Sequence, residues 1–393
     1  MSACTLKVAL IGGPAFEPLY KSFEAFTRQT GISIDIAFTG THPSLNQHLM
    51  HAYEAGEGDY DLVSTHTKYA PSQLFLEPLN DDFEEAELAD FVPGALSLAT
   101  YEGKLLCIPR NVDIRLLFYR KDWLNEIRID KPDTWEQLRH ICEVLHERGI
   151  VGFAFTGKES GLFGTFYELL VSYGGRLFDD SLQPAFDSSA GIRAAAFLCD
   201  LYRSRFTPAE VPNMHYDEVS NAFRSGSCAM AADWPGYYGL YGNPETSRVS
   251  GLFDIGLLPC GPTGDRGVYA GSMSFGLPKG APHKQEALRL LKYVTSADVQ
   301  RIDLRNGHVP VRNSLMARLD DDARAGTLEL KRLTLLRETL DRYMIIPPRF
   351  EAYPMAEDII WGRIREALLG KLTPETAVTM AAAEIRGLKP APR

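Results

Sequence analysis

The chain has 393 residues, and at about 150 residues per domain this length predicts two or three domains that need no disulfide or metal for a core. Its 41 basic side chains stand against 51 acidic ones, so the formal net charge of −10 argues against a nucleic acid as partner. Hydrophobic residues make up 45% and charged residues 23%, a globular composition that excludes disordered and fibrous classes.

The cysteines and the N-terminus bear on compartment and metal chemistry. None of the six cysteines forms a CxxC pair, so zinc ribbons and thioredoxin-like chemistry have no support. We expect no metal and no cofactor. The apolar run at 6–11 is short and ends at Gly12-Gly13-Pro14, which predicts a first strand and not a secretory signal. Ser2-Ala3-Cys4 is similar to the end of a lipobox. It stays open whether a signal is absent by nature or removed, and whether Cys4 is a lipidation site.

The first 64 residues alternate between two apolar patterns. Runs of strand length alternate with segments whose apolar residues recur at helical spacing. The predicted strands are 6–11, 32–38 and 60–64, and the predicted helices are 16–31 and 45–55. Such repetition with short links predicts a parallel, doubly wound α/β sheet.

The rest of the chain continues with mixed elements. The predicted strands are 105–109, 114–119, 150–156, 228–232, 252–258 and 268–277. The predicted helices are 134–148, 164–173, 189–202, 216–223 and 283–295, followed by C-terminal helices near 314–318, 328–340 and 355–384. No linker of low complexity and no internal repeat interrupts this order. Two lobes with repeated chain crossings would explain the missing linker, and 109–113 and 260–268 are the candidate crossings.

Seven short phrases, in order along the whole chain, point to one family. They are FEAFTRQTGI at 23–32, DYDLV at 59–63, IPRNVDIRLLFYRKD at 108–122, GGRLFD at 174–179, FRSGSCAM at 223–230, the stretch 271–280 from Gly-Ser to Lys-Gly, and GHVPVR at 307–312. Each phrase alone is weak evidence, but together they resemble the extracellular solute-binding proteins of ABC importers, the class that includes maltose-binding protein.

This resemblance implies a fold and a role. The fold would be the two-lobed, type II periplasmic-binding-protein-like α/β fold, each lobe a mostly parallel sheet flanked by helices, with extra C-terminal helices. The lobes would be 1–111 plus 268–312 and 112–267 plus 313–393, with crossings near 109–113, 260–268 and 310–315. The role would be capture of a carbohydrate or sugar derivative in the cleft between lobes and delivery to an ABC permease by hinge closure. A monomer in the periplasm or outside the cell would follow.

Trp234 is the first candidate for ligand contact. Sugars stack their C–H faces on aromatic rings, and Trp234 follows the predicted strand 228–232, where the family carries such an aromatic. Tyr237 is its companion. The alternative is a core Trp beneath a Pro-Gly turn.

Polar residues after three predicted strands are the next candidates. His66 follows the third strand, and Thr41 and His42 follow the second. Loops at the carboxyl ends of parallel strands form ligand sites in α/β folds, although a solvated loop is the alternative reading. Asn111 and Asp113 lie on the first crossing, where a carboxylate could accept sugar hydroxyls. Arg110 or Arg115 could instead pair with Asp113.

The remaining candidates follow from backbone access and charge. Gly271 and Ser272 lie at the return crossing, where a glycine lets backbone amides approach a ligand. Phe163 and Gly164 lie at the predicted start of a helix, whose first amides are free. Arg349 leaves open an acidic or sulfonated sugar.

Enzyme motifs are missing from the sequence. It has no GxGxxG after the first strand, no Walker lysine, no GxSxG elbow and no HExxH. We therefore expect a binding protein and not an enzyme. The alternatives are the same role with a polyamine, an anion or a cofactor precursor, and, behind it, a bilobal enzyme.

Overall fold

The computed structural model describes residues 4–13, 16–305, 307–322 and 327–388. Ser2 and Ala3 of the lipobox-like run, and Pro14 after the first predicted strand, lie outside these ranges. In the described part of the chain, no helix is both long and apolar enough to cross a bilayer.

The strands of this part are numbered in chain order. They are β1 (Thr5–Ile11), β2 (Ser33–Gly40), β3 (Leu62–His66), β4 (Thr100–Tyr101), β5 (Lys104–Leu105), β6 (Ile108–Pro109), β7 (Leu116–Arg120), β8 (Phe153–Ala154), β9 (Met230–Asp233), β10 (Phe253–Gly256), β11 (Val268–Tyr269), β12 (Met273–Gly276) and β13 (Met344–Ile345).

The α-helices are numbered in the same way. They are α1 (Glu17–Lys21), α2 (Phe23–Thr30), α3 (His42–Glu54), α4 (Glu85–Ala89), α5 (Pro93–Ala99), α6 (Lys121–Ile127), α7 (Trp135–His146), α8 (Glu159–Ser172), α9 (Ser189–Arg203), α10 (Tyr216–Arg224), α11 (Tyr238–Gly242), α12 (Lys284–Val294), α13 (Ala297–Arg305), α14 (Asn313–Asp322), α15 (Leu328–Arg342), α16 (Tyr353–Leu368) and α17 (Pro374–Arg386).

The chain divides into two compact units, each assembled from separate segments. Unit 1 comprises Met1–Asp113, Gly271–Ala323 and Arg349–Glu351. Unit 2 comprises Ile114–Ala270, Arg324–Pro348 and Ala352–Arg393. The chain thus passes between units after residues 113, 270, 323, 348 and 351. The first passage lies at the first expected crossing, and the second and third lie beyond the expected crossings at 260–268 and 310–315. Residues 313–322, expected in the C-terminal lobe, lie in unit 1.

Unit 1 contains a five-stranded sheet in the order β2-β1-β3-β12-β6. β1 runs parallel to β2 and β3, as the alternation of strands and helices predicts. β1 lies between β2 and β3 and is buried along most of its length. The helix predicted over 16–31 is two helices, α1 and α2, which meet at Ser22. α2 ends at Gly31, whose φ of 74° suits the left-handed cap that glycine adopts without strain.

Unit 2 contains a four-stranded sheet in the order β10-β7-β9-β8. Only β8 and β9 are parallel, because β7 runs antiparallel to both β9 and β10, so this sheet is mixed and not mostly parallel. β7 enters directly from unit 1, and β12 likewise enters unit 1 from unit 2 and runs antiparallel to its neighbours. Parallel pairing of neighbouring strands needs a crossover connection within the unit. β7 and β12 each come directly from the other unit, without such a connection.

Helices α6, α10 and α15 contact strands of the unit 2 sheet, and α7 has a clear sequence signal at its start. Thr134 caps α7 in a capping box with Gln137, which confirms the predicted start of this helix. The C-terminal helices α16 and α17 pack with α8 and α9 of the same unit. The mixed α/β class with two units confirms the fold expected from the sequence.

Two helical glycines provide a test of this packing. A Cβ at Gly362, inside α16, would meet no atom within 4 Å, so Gly362→Ala should stabilise the chain by about 0.5–1 kcal/mol through helix propensity. A Cβ at Gly191, in the first turn of α9, would lie 1.8 Å from the carbonyl oxygen of Phe186, so Gly191→Ala should destabilise by about 1–3 kcal/mol. Urea unfolding of both variants measures this, and shifts of the same sign would contradict the packing.

Candidate functional site

Seven of the predicted ligand residues gather at one edge of the unit 1 sheet. The carboxyl ends of β2, β3 and β6 and the amino end of β12 meet there, because β12 runs antiparallel to β3 and β6. We call this place the unit 1 edge, and its predicted residues are Thr41, His42, His66, Asn111, Asp113, Gly271 and Ser272.

Gly271 packs directly against the imidazole of His66. A Cβ at Gly271 would lie 2.4 Å from His66 Nε2, so no larger residue fits without moving the ring. The Gly271 carbonyl accepts the Asp113 N–H at 2.8 Å, and the Asp113 carbonyl accepts the Gly271 N–H at 3.3 Å. The backbone of the two crossings is therefore joined beside the ring, and glycine is required here for close packing.

His66 has a defined tautomer and charge. The backbone N–H of Lys68 donates to His66 Nδ1 at 3.2 Å, which places the ring proton on Nε2. Burial, helped by the positive charges of His42 and Lys68, holds the pKa of His66 well below its usual range. The His42 ring meets the His66 ring edge to face, with centroids 5.3 Å apart. His66 is thus a neutral ring with an N–H donor at neutral pH.

Asp113 is held by Asn111 and not by an arginine. Asn111 Nδ2 donates to Asp113 Oδ1 at 2.7 Å, while Asn111 Oδ1 accepts the Met273 N–H at 3.0 Å. Arg110 instead forms a bidentate pair with Asp303 at 2.8 and 2.6 Å. Asp113 keeps some exposed surface, but its carboxyl is buried. This burial raises the pKa of Asp113 to about 7, although the Asn111 hydrogen bond and the Arg110 charge act to lower the pKa.

Other predicted residues of unit 1 are occupied by structural bonds. Thr41 is the exposed N-cap residue of α3, and its hydroxyl donates to Ser44 Oγ at 3.1 Å. Ser272 is fully buried, and its N–H donates to Thr67 Oγ1 at 3.2 Å. Arg349 donates to two carbonyls at the end of α5, those of Ser97 and Leu98. Its guanidinium is therefore engaged in holding α5 and lies outside the unit 1 edge.

Trp234 follows the carboxyl end of β9 in the unit 2 sheet, beside the amino end of β7. Its ring is half-buried, so it is not the fully enclosed core Trp of the alternative reading. The guanidinium of Arg115 lies 5.2 Å from the ring centroid, and the Tyr216 ring meets it edge to face at 5.9 Å. These contacts hold the indole in place while part of its surface stays accessible.

A buried carboxylate precedes Trp234, and an exposed one bonds to Tyr237. Asp233 is fully buried, and its carboxylate accepts hydrogen bonds from the backbone N–H of Trp234 at 2.9 Å and from the Tyr241 O–H. Burial raises the pKa of Asp233 to about 8. Tyr237 donates its O–H to Asp217 at 2.8 Å, and burial raises the pKa of Tyr237. Asp233 thus fixes the turn after β9, and the Tyr237 hydroxyl is bonded to Asp217.

The structure corrects the reasoning for Phe163 and Gly164. α8 begins at Glu159, so both residues lie inside the helix and their amides are not the free amides of a helix start. Phe163 is fully buried, and Tyr269 and Tyr353 meet its ring edge to face at 5.5 and 6.2 Å. A Cβ at Gly164 would lie 2.7 Å from Tyr269 Cδ1, so this glycine serves packing. An apolar helix start cannot be located from composition alone.

Sequence reasoning missed Glu168 and saw Arg115 only as a partner for Asp113. Both side chains are buried and pair with each other. The available signal is that Glu168 is the only charged residue between Leu162 and Tyr173, in the mostly apolar part of α8. A lone charge in such a run indicates a buried partner.

The sequence and the structure are similar to those of known proteins. The profile of the bacterial extracellular solute-binding protein family matches residues 13–301. The chain belongs to this family. A probable ABC transporter-binding protein of Deinococcus radiodurans is 25% identical over 302 residues, covering 74% of this chain and 71% of the relative.

Solved structures of the family are similar over nearly the whole chain. The maltose-bound MalE3 of T. maritima has a TM-score of 0.90 and 28% identity and covers 98% of this chain and 100% of its own. A solute-binding protein of Agrobacterium radiobacter K84 in complex with ribitol has a TM-score of 0.87 and 22% identity and covers 98% and 99%. The second similarity concerns the fold alone.

The family assigns the general role. The protein is a solute-binding protein of the ABC transporter type, and its family is one of transport-binding proteins. The extracellular family implies a periplasmic or extracellular location.

Replacement of Asp113 tests its protonation. The pKa of this carboxyl is about 7 in the folded chain and 3.8 ordinarily, so between these values the folded chain binds more protons than the unfolded chain. Its contribution to the free energy of unfolding is therefore lost as the pH rises from about 4 to 7. Asn imitates the protonated acid without titrating. We expect Asp113→Asn to gain stability over wild type as the pH rises, with a plateau above pH 7.

Urea unfolding at several pH values measures this difference. Asp180→Asn, at a fully exposed side chain, is the control for the same chemical change on the surface. A difference between Asp113→Asn and wild type that stays constant from about pH 4 to 8 would contradict a raised pKa.

Proposed function

We propose that this protein is the substrate-binding component of an ABC importer, that it captures a carbohydrate or sugar derivative, and that it delivers this ligand to a membrane permease. The observation that carries the proposal is the half-buried Trp234 ring, held by Arg115 and Tyr216 at the end of β9. An immobilised aromatic face with accessible surface suits the C–H face of a sugar ring.

The polar groups of the unit 1 edge support an uncharged, hydroxyl-bearing ligand. His66 offers a neutral N–H, and Asp113 lies close to its own pKa at neutral pH, so it can accept or donate a hydrogen bond. A polyamine site would need carboxylates that stay ionised, whereas burial opposes the charge of Asp113. A neutral polyol satisfies both groups without burying an unpaired charge.

The alternative of an acidic or sulfonated sugar loses its main support. It depended on Arg349, whose guanidinium donates to the carbonyls of Ser97 and Leu98. The maltose bound in MalE3 of T. maritima, which is 28% identical to this chain, also favours a neutral sugar. We therefore propose a neutral mono- or oligosaccharide as the ligand.

We further propose that delivery depends on hinge closure. The protein would act as a monomer without catalysis, and a ligand that binds residues of both units would shift the population towards a closed form. The closed form would then dock to the permease outside the cytoplasm. The net charge of −10 fits partners other than nucleic acid.

Calorimetry with a panel of neutral sugars tests the proposal. Maltose, maltotriose, trehalose and glucose are titrated into the wild-type protein, with glucuronate, glucose 6-sulfate and spermidine as charged ligands. We expect at least one neutral sugar to show saturable binding, and we expect the charged ligands to show no binding. Binding of spermidine or a sulfated sugar alone would refute the proposed ligand class, and hydrolysis of a bound sugar would refute the binding role.

Trp234→Ala tests the aromatic platform. Loss of the ring should weaken sugar binding by about 1–3 kcal/mol, the value of burying one large side chain, while the thermal midpoint changes little. Trp361→Ala is the matched control, because the Trp361 indole donates to Asp358 on its own helix at 2.9 Å. Equal affinities of the two variants would remove Trp234 from the site.

A further inference from the structure

Arg115 forms a buried, fully engaged ion pair just after the chain enters unit 2. Its side chain is 1% exposed and Glu168 is 0% exposed. Arg115 Nε donates to Glu168 Oε1 at 3.2 Å, Nη2 donates to Oε2, and Nη1 donates to Thr165 Oγ1 at 2.9 Å. Both partners of the guanidinium side chain lie on α8, so this helix fixes the plane of the guanidinium.

Glu168 also accepts a hydrogen bond from the backbone shortly before the chain leaves unit 2. Its Oε1 accepts the backbone N–H of Tyr269 at 3.1 Å, one residue before the end of the segment Ile114–Ala270. One carboxylate therefore bonds to a residue near each end of this segment. The positions of both chain ends within unit 2 depend on the same side chain.

The same network extends to Trp234. The Arg115 guanidinium lies 5.2 Å from the centroid of the Trp234 ring. Gly164 makes room on α8, because a Cβ there would lie 2.7 Å from Tyr269 Cδ1 and 3.5 Å from Arg115 Nη2. Glu168, Arg115 and Trp234 thus form a continuous chain of contacts from the crossings to the aromatic ring.

Stability alone does not account for such a pair. Removing two charges from water is costly, and replacing a buried ion pair by apolar residues of similar volume is often neutral or stabilising. A bidentate pair does, however, impose one geometry on its partners, which an apolar pair does not.

We propose that the Arg115–Glu168 pair is a positioning element that holds Trp234 and the backbone at both crossings in the binding-competent arrangement. This inference rests on the proposed function for its effect on affinity. Arg115 and Glu168 act through Trp234 and the backbone and need no contact with the ligand.

The double variant Arg115→Met/Glu168→Leu removes both charges and retains similar volume. We expect it to fold, with a thermal midpoint a few degrees below that of wild type because the Tyr269 N–H loses its acceptor, and to bind the sugar identified by calorimetry about tenfold more weakly. Arg115→Lys is the second variant, since it keeps the charge but loses the planar fork, and it should weaken binding in the same direction. Wild-type affinity in both variants would overturn the proposal.

A double-mutant cycle separates positioning from a general structural effect. If the pair acts through Trp234, adding Arg115→Met/Glu168→Leu to Trp234→Ala should cost little further affinity. The control is Arg332→Met/Glu329→Leu, which removes another bidentate pair of unit 2, where Arg332 lies 4.9 Å from the Tyr238 ring. Its effect should add to that of Trp234→Ala. Additive losses for the Arg115–Glu168 variant would overturn positioning through Trp234.

Fluorine NMR of 5-fluorotryptophan protein tests the positioning without any ligand. The chain has 4 tryptophans, and the Trp234 resonance is the one that Trp234→Phe removes. Arg115→Met/Glu168→Leu should shift or broaden this resonance and leave that of Trp361 unchanged. An unchanged Trp234 resonance would overturn the inference. If no sugar binds the wild type, the proposed function fails, and this spectrum alone decides whether the pair positions Trp234.

Discussion

The insertion of β12 between β3 and β6 is the constraint on which the rest of unit 1 depends. The strand comes after the whole segment Ile114–Ala270, yet it joins β6 to the other strands of the sheet. Unit 1 therefore cannot complete its sheet before the chain has passed through unit 2 and returned. The same insertion brings Gly271 against His66 and beside Asp113, so the topology that closes the sheet also assembles the unit 1 edge.

The chemistry of this edge follows from burial rather than from residue type. Histidine and aspartate are ionisable residues, but here burial favours the neutral form of both His66 and Asp113. Asp233, buried next to Trp234 in unit 2, follows the same rule. Groups that are neutral and still able to hydrogen-bond are suited to hydroxyl ligands, whose binding brings no charge to compensate the cost of burial.

The charges that remain buried have found partners within their own unit. Arg110 pairs with Asp303 in unit 1, and Arg115 pairs with Glu168 in unit 2. Each arginine comes within a few residues of the passage between units at Asp113. A bidentate pair fixes orientation as well as distance, so these two pairs fix the position of the backbone on both sides of that passage. In unit 2, Arg115 also contacts the Trp234 ring.

Hydrophobic periodicity, capping residues and short phrases along the sequence by themselves determined the α/β class, the parallel start of unit 1, α7 with its Thr134 cap, and Trp234 as an aromatic at the end of a strand. The cap and the element types depend on neighbours within one or two turns of chain, and the parallel pairing follows from the alternation of strands and helices.

Only the tertiary structure decided the mixed sheet of unit 2, the burial of Phe163, the engagement of Arg349 with α5 and the pairing of Arg115 with Glu168. Each of these depends on a contact between residues far apart in sequence, such as the 251 positions between Arg349 and Leu98. Local patterns carry no information about which distant carbonyl or carboxylate will meet a buried charge, because that partner is selected when the separate segments of one unit pack together.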